Sequence, residues 1–223
     1  MPLQNRVTPF GDIVALAGRG LVMGNRGILH DDARRLVRYS ALRRWIACVI
    51  EFRGRHRVVM RPHSYTELFF LDEATAFSAG HRPCAECRHA DYRKFVDLWE
   101  ICRGKAVSAD LIDRQLHGER LAGPRVKRTY RADLADLPDG TYIMEDSRAW
   151  LVFGEALLAW SDVGYTERRA RPAHREVDVL TPRSTVAVLA AGYRVAVHPS
   201  AEKDGSASAT HRAADRRGTR PPV

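Results

Sequence analysis

Residues Glu67–Arg88 read ELFFLDEATAFSAGHRPCAECR. The apolar run Glu67–Leu71 predicts a strand. Asp72 is placed to cap a short helix over Asp72–Ala79, with Gly80 as its left-handed terminator. Pro83 then stiffens the approach to Cys84-Ala85-Glu86-Cys87. Two thiols separated by two residues on a tight turn can both face one ion, which is why this spacing recurs in tetrahedral zinc sites. A helix starting near Arg88 brings its positive end close to the sulfurs. Together with Arg82 and Arg88 it favours thiolate, the metal-binding form. A thioredoxin-like redox pair shares the spacing but follows a strand inside a βαβ unit, and here a helix and a glycine intervene.

Upstream of this stretch, DIVALAGRGLVMGNRG (Asp12–Gly27) predicts short strands and tight turns. His30-Asp31-Asp32 is expected to open a helix reaching about Tyr39. Trp45–Phe52 and His56–Met60 predict a hairpin turning through Arg53-Gly54-Arg55. Downstream, Tyr92, Phe95, Val96 and Trp99 share one face of a helix over Arg88–Ile101, and Ala109–Leu121 continues helical. Leu137-Pro138-Asp139-Gly140 signals a turn. Strands are expected over Thr141–Met144, Trp150–Phe153, Ala156–Trp160, Glu176–Leu180 and Tyr193–His198. Thr181-Pro182 predicts a cap and first turn for a helix ending before Gly192.

The resulting class is α+β, with mostly antiparallel short strands, a zinc-knuckle-like CxxC segment and a helical middle. Residues 1–122 form an α+β domain carrying the CxxC, and residues 123–200 a small α+β domain or a continuation of the same core. Residues 201–223 are nearly free of large apolar side chains and predict a disordered tail.

The 223 residues carry 36 basic and 27 acidic side chains, a formal charge of +9. Subtracting the five basic and three acidic residues of 201–223 leaves +7 on residues 1–200. Such a charge suggests an anionic partner, nucleic acid above all. Arginine outnumbers lysine 32 to four, a skew that a GC-rich genome would impose on any surface. No apolar run approaches the roughly 20 residues of a membrane span, and no secretory h-region is visible in MPLQNRVTPFGD. Four cysteines make no disulfide framework. A cytoplasmic location is expected.

The residues Phe70, Ala76, Ala79, Gly80, His81, Arg82, Pro83, Cys84 and Cys87 resemble the second half of the Ada-type metal-binding domain, a small zinc module of DNA-alkylation repair proteins that is also appended to some nucleases. The likeness covers only Glu67–Arg88. It implies a structural Zn2+ near DNA. That family supplies a further ligand pair ahead of the strand, where this chain has His56 and His63 but no cysteine. The methyl-acceptor role of one family cysteine is not carried over, because the expected acceptor position is empty of cysteine. The whole chain also resembles a bacterial family with no assigned function, which adds no chemistry.

The metal-site candidates are therefore Cys84, Cys87, His63 and His56, with His81 and Cys48 as further donors for a closed four-ligand site. Cys48, inside the apolar run Trp45–Ile50, also reads as a small buried hydrophobe. Cys102, behind an apolar helix face, is expected in the core. Arg53, Arg55, Arg57 and Arg61 would share one face of the predicted hairpin and track a phosphate backbone. The leading function is a zinc-binding, nucleic-acid-associated protein. The alternative is a metal-dependent hydrolase or nuclease using His30, Asp31 and Asp32, whose bland counterpart is a turn and an Asp cap. No phosphate-binding glycine loop, nucleophile elbow or HExxH helix is present.

Overall fold

The computed structural model describes residues 1–54 and 58–203. The short helix α1 (Glu73–Ser78) sits at the centre of the molecule, and all six of its residues are buried. Asp72 caps it by accepting from the Thr75 amide at 2.8 Å, and Gly80 leaves it with φ +91°. The sequence expected both features.

In front of α1 lie strands β1 (Arg6–Val7), β2 (Ile13–Val14), β3 (Val22–Asn25), β4 (Ile46–Cys48) and β5 (Leu68–Phe70). With β6 (Arg82–Pro83) they form a sheet of order β2-β1-β5-β3-β4-β6. Pairing is antiparallel except for β1 with β5 and β4 with β6. Side chains alternate across this sheet. Ala47, Leu68 and Phe70 pack with Ala76 of α1 and with Ala79 at its C-cap. Met23, Cys48 and Phe69, which are cross-strand neighbours, face the other way.

Helices α2 (His89–Arg103) and α3 (Ala109–Arg120) follow, then a hairpin of β7 (Leu121–Gly123) and β8 (Val126–Lys127). A second sheet contains β9 (Tyr130–Asp133), β10 (Tyr142–Glu145), β11 (Arg148–Phe153), β12 (Ala156–Ser161), β13 (Gly164–Ala170) and β14 (Glu176–Val179). Its order is β13-β12-β11-β10-β14-β9, antiparallel throughout. Helix α4 (Arg183–Ala190) closes the set. The class is α+β. Ala74 of α1 packs with Tyr142, Leu151 and Leu158 of the second sheet. Phe77 packs with Phe95, Trp99, Ile112, Val188 and Tyr193.

Several local expectations differ. No helix follows His30: the Asp31 carboxylate accepts from the amides of Ala33 and Arg35 at 3.0 and 2.9 Å, holding a turn in which Arg34 has φ +60°. Side-chain competition of this kind is why aspartate suits turns. The Trp45–Met60 hairpin is absent among the described residues, since β4 pairs with β3 and β6 instead. Tyr193–His198 is not a strand. The Glu73 and Asp72 carboxylates take the amides of Ala196 and His198, both at 2.9 Å, that a ladder would have used. Thr181 accepts from the Tyr142 amide rather than capping α4, and Pro182 stands at the cap. The strand β13 was not expected: it is a charged edge strand, and its outward Thr, Glu and Arg residues hide the apolar alternation. Ala201, the first residue of the expected tail, is fully buried and its carbonyl accepts from Arg168. The rest of that segment from residue 204 lies outside the described residues.

Asp72 ties the halves together. Its carboxylate accepts from the Thr75 hydroxyl at 2.7 Å, the Tyr165 hydroxyl at 2.6 Å and the His198 amide at 2.9 Å, besides capping α1. Each buried donor left unmatched costs about 1–3 kcal/mol. Asp72→Ala is expected to lose at least about 3 kcal/mol of stability in urea unfolding. A loss below about 1 kcal/mol, the ordinary size for a point mutation, would mean the junction tolerates its removal.

Candidate metal centre

Cys84 reaches the site because α1 ends where it does. At Gly80 the chain turns back. A Cβ there would lie 2.5 Å from Cδ of Arg120, and the positive φ already disfavours side chains. Arg120 donates to the Gly80 carbonyl at 2.9 Å and lies over the Trp45 ring at 3.8 Å. The following residues form β6, parallel to β4, with Ile46 opposite Arg82 and Ala47 opposite Pro83. The Arg82 amide donates to Trp45 O and the Cys84 amide to Ala47 O, at 3.1 and 2.9 Å. Pro83, which has no N–H, is tolerated because β6 is the sheet edge.

One step further along this register lie Cys48 and Cys84. The Sγ atoms of Cys48, Cys84 and Cys87 all lie within 4.8 Å of one another. A tetrahedral zinc with bonds of about 2.3 Å separates its sulfurs by roughly 3.8 Å, so small side-chain adjustments let all three bind one ion. Backbone amides supply further support: those of Glu86 and Cys87 face the Cys84 sulfur, and that of Val49 the Cys87 sulfur. Amides aimed at sulfur stabilise its negative charge, as a thiolate cluster requires.

The three thiols titrate as one group. The Cys48 thiol and these amides hold Cys84 down at about 5. The hydrogen bond to Cys84 and burial push Cys48 up, and burial pushes Cys87 up. These shifts favour the thiolate at Cys84, with the Cys48 and Cys87 thiols beside it. The expected help from Arg82 and Arg88 is absent, because carboxylates occupy both. Arg82 makes a buried two-pronged pair with Asp113, each contact 2.8 Å. Arg88 is held by Glu73 at 2.6 Å and Asp91 at 2.9 Å.

The cluster lies in the wall of a cavity of about 420 Å3 on the sheet face opposite α1. Met23, Ile46, Val49, Val59 and Phe69 give it an apolar lining, and the carboxylates of Glu51 and Glu67 border it.

The other expected residues are placed as follows. His63 is exposed and outside the cysteine cluster. His56, with Arg55 and Arg57, lies outside the described residues. Arg53 and Arg61 are exposed, and among the described residues no strand pairing aligns them. His30 is buried, its ring nitrogens against Thr66 Oγ1 at 2.6 Å and Arg61 O at 3.2 Å. Asp31 serves its turn and pairs with Arg35 at 2.8 Å, and Asp32 is exposed. Cys102 is exposed rather than in the core, its Sγ 3.5 Å from Ala187 O. His81 is an interior residue, with ring centroids 4.6 Å from Phe70 and 5.2 Å from Trp45. Among the described residues the missing third sulfur is Cys48, which the sequence places in an apolar run. The sequence offered it as one further donor among several, and the parallel β4–β6 pairing is what brings it to the pair.

Comparison with known proteins returned no matching family model, curated protein or solved structure.

His81 ties the Gly80 turn to the interior. Burial, then the neighbouring Arg26 and Arg120, lower its pKa well below the usual imidazole value. Below about pH 6.5 the unfolded chain binds a proton here that the folded chain refuses. Its contribution to stability is therefore full above that pH and lost as acidity rises. His81→Phe, which keeps an aromatic ring in the Trp45–Phe70 cage, is expected to reduce the drop in melting temperature between pH 7 and pH 5. An unchanged drop would place the acid sensitivity elsewhere.

Proposed function

We propose that this chain is a zinc-binding protein whose ion is held by Cys48, Cys84 and Cys87. The observation that carries the reading is the convergence of three sulfurs from two segments, brought together by the β4–β6 register. Thiolates are soft donors that favour zinc among the common divalent ions. Such an ion would pin the edge strand, the β4 loop and the start of α2 to one point, and so would stabilise this end of the first sheet. It would also present a metal to the cavity.

Protein purified without chelator should carry one equivalent of zinc. Cys48→Ser, Cys84→Ser and Cys87→Ser should each lose most of it, while Cys102→Ser keeps it. Chelator should lower the melting temperature of the parent and leave the three site variants unchanged. Ligand linkage is worth about 4 kcal/mol when free metal exceeds the dissociation constant a thousandfold. Full zinc content in Cys48→Ser would sink the three-sulfur site. A chelator effect equal in parent and variants would place the metal elsewhere.

A further inference from the structure

We propose that the fourth coordination position of this metal opens into the cavity and takes a small thiol with an apolar or aromatic body. The inference rests on the zinc-binding reading and adds to it a ligand class. Structural zinc sites are closed by four protein donors, whereas reactive sites keep one position for an exogenous ligand. Among the described residues the cluster supplies three donors. All three cysteines line the same cavity, which is the open space a fourth ligand on their shared metal would enter.

The chemistry of the position follows from its neighbours. Three thiolates on a divalent ion leave a unit of net negative charge, and Glu51 and Glu67 border the same space. Phosphate and carboxylate ligands are repelled there. A neutral thiol is not: it approaches uncharged, its S–H bond breaks, the proton leaves to solvent, and the new metal–sulfur bond forms with no change of oxidation state. Soft sulfur is also the donor best matched to a metal already bound by sulfur. The body of the ligand meets Met23, Ile46, Val49, Val59 and Phe69. At about 420 Å3 the cavity falls in the range of small-molecule sites.

The full-length chain is loaded with Co2+, whose thiolate charge-transfer and d–d bands report its ligands, and titrated with benzyl mercaptan, 2-mercaptoethanol and inorganic phosphate. Benzyl mercaptan should add a saturable sulfur-to-cobalt band and bind roughly tenfold or more tightly than 2-mercaptoethanol, because only it buries a ring. Phosphate should leave the bands unchanged. Phe69→Ala should retain cobalt and shrink the preference between the thiols. If no thiolate band forms on adding Co2+, the zinc-binding reading itself fails. If the band forms but neither thiol changes it, the position is closed and the inference is overturned. A parent that does not respond, beside a His56→Ala or His63→Ala variant that does, would identify a histidine as the closing ligand. Equal affinity for the two thiols, a response to phosphate, or cobalt stripped from the protein by thiol would each overturn it as well.

Discussion

Helix α1 is six residues long, and no face of it reaches solvent. A helix so short has no stability of its own. It persists because each side is claimed by a different partner: the first sheet through Ala76, the second through Ala74, and the helical layer through Phe77. Burying its amino end requires burying Asp72 and Glu73. Those carboxylates are acceptable inside because several donors are turned toward them. The Thr75 amide and hydroxyl, the Tyr165 and Tyr193 hydroxyls, two backbone amides of the C-terminal segment and Arg88 all take part. Burial alone raises the pKa of Glu73, and these contacts oppose it.

The cysteine cluster depends on this arrangement. Glu73 holds Arg88, which fixes the start of α2 directly after Cys87. At the other end of α1, the Gly80 turn is clasped by Arg120, and Arg82 is anchored by Asp113 of α3. The short strand that carries Cys84 past β4 is thus held at both ends by buried charged groups. Around Trp45 the interior is unusually cationic. Arg26 and Arg120 each lie 3.8 Å from its ring, and Lys127 reaches the Ser78 carbonyl. Burial lowers the pKa of Lys127 to about 7. The aromatic faces and backbone carbonyls, rather than carboxylates, are the nearest partners of these arginines.

The sequence was legible where local rules decide. The Asp72 cap, the Gly80 reversal, the apolar stripe of α2 and the β10–β12 meander all follow from spacing and turn chemistry. Between β10 and β11 the turn places Asp146 and Ser147 at positive φ, as a tight two-residue hairpin requires. Expectations failed where a distant group outcompeted the local one. Residues 193–198 have strand composition, yet the Ala196 and His198 amides belong to Glu73 and Asp72. The cysteine pair stood out, whereas Cys48 was one further donor among several: it meets Cys84 only through a parallel pairing of two- and three-residue strands, too short to leave a pattern. Cys48 reads as core because its neighbours are apolar, yet Ile46, Val49 and Ile50, on either side of it, line a cavity.

The long reach of the α1 carboxylates orders events in time. Cys48, Cys84 and Cys87 all precede Tyr165, Tyr193, Ala196 and His198, the residues that make Asp72 and Glu73 tolerable inside. From Cys87 to His198 is 198 − 87, or 111 residues. At about 5–20 residues per second, a ribosome needs roughly 5–20 s to make them. Throughout that interval the three sulfurs are already synthesised while the central helix cannot yet be sealed. The three cysteines are therefore synthesised before the core that positions them exists, and the C-terminal segment closes over α1 last.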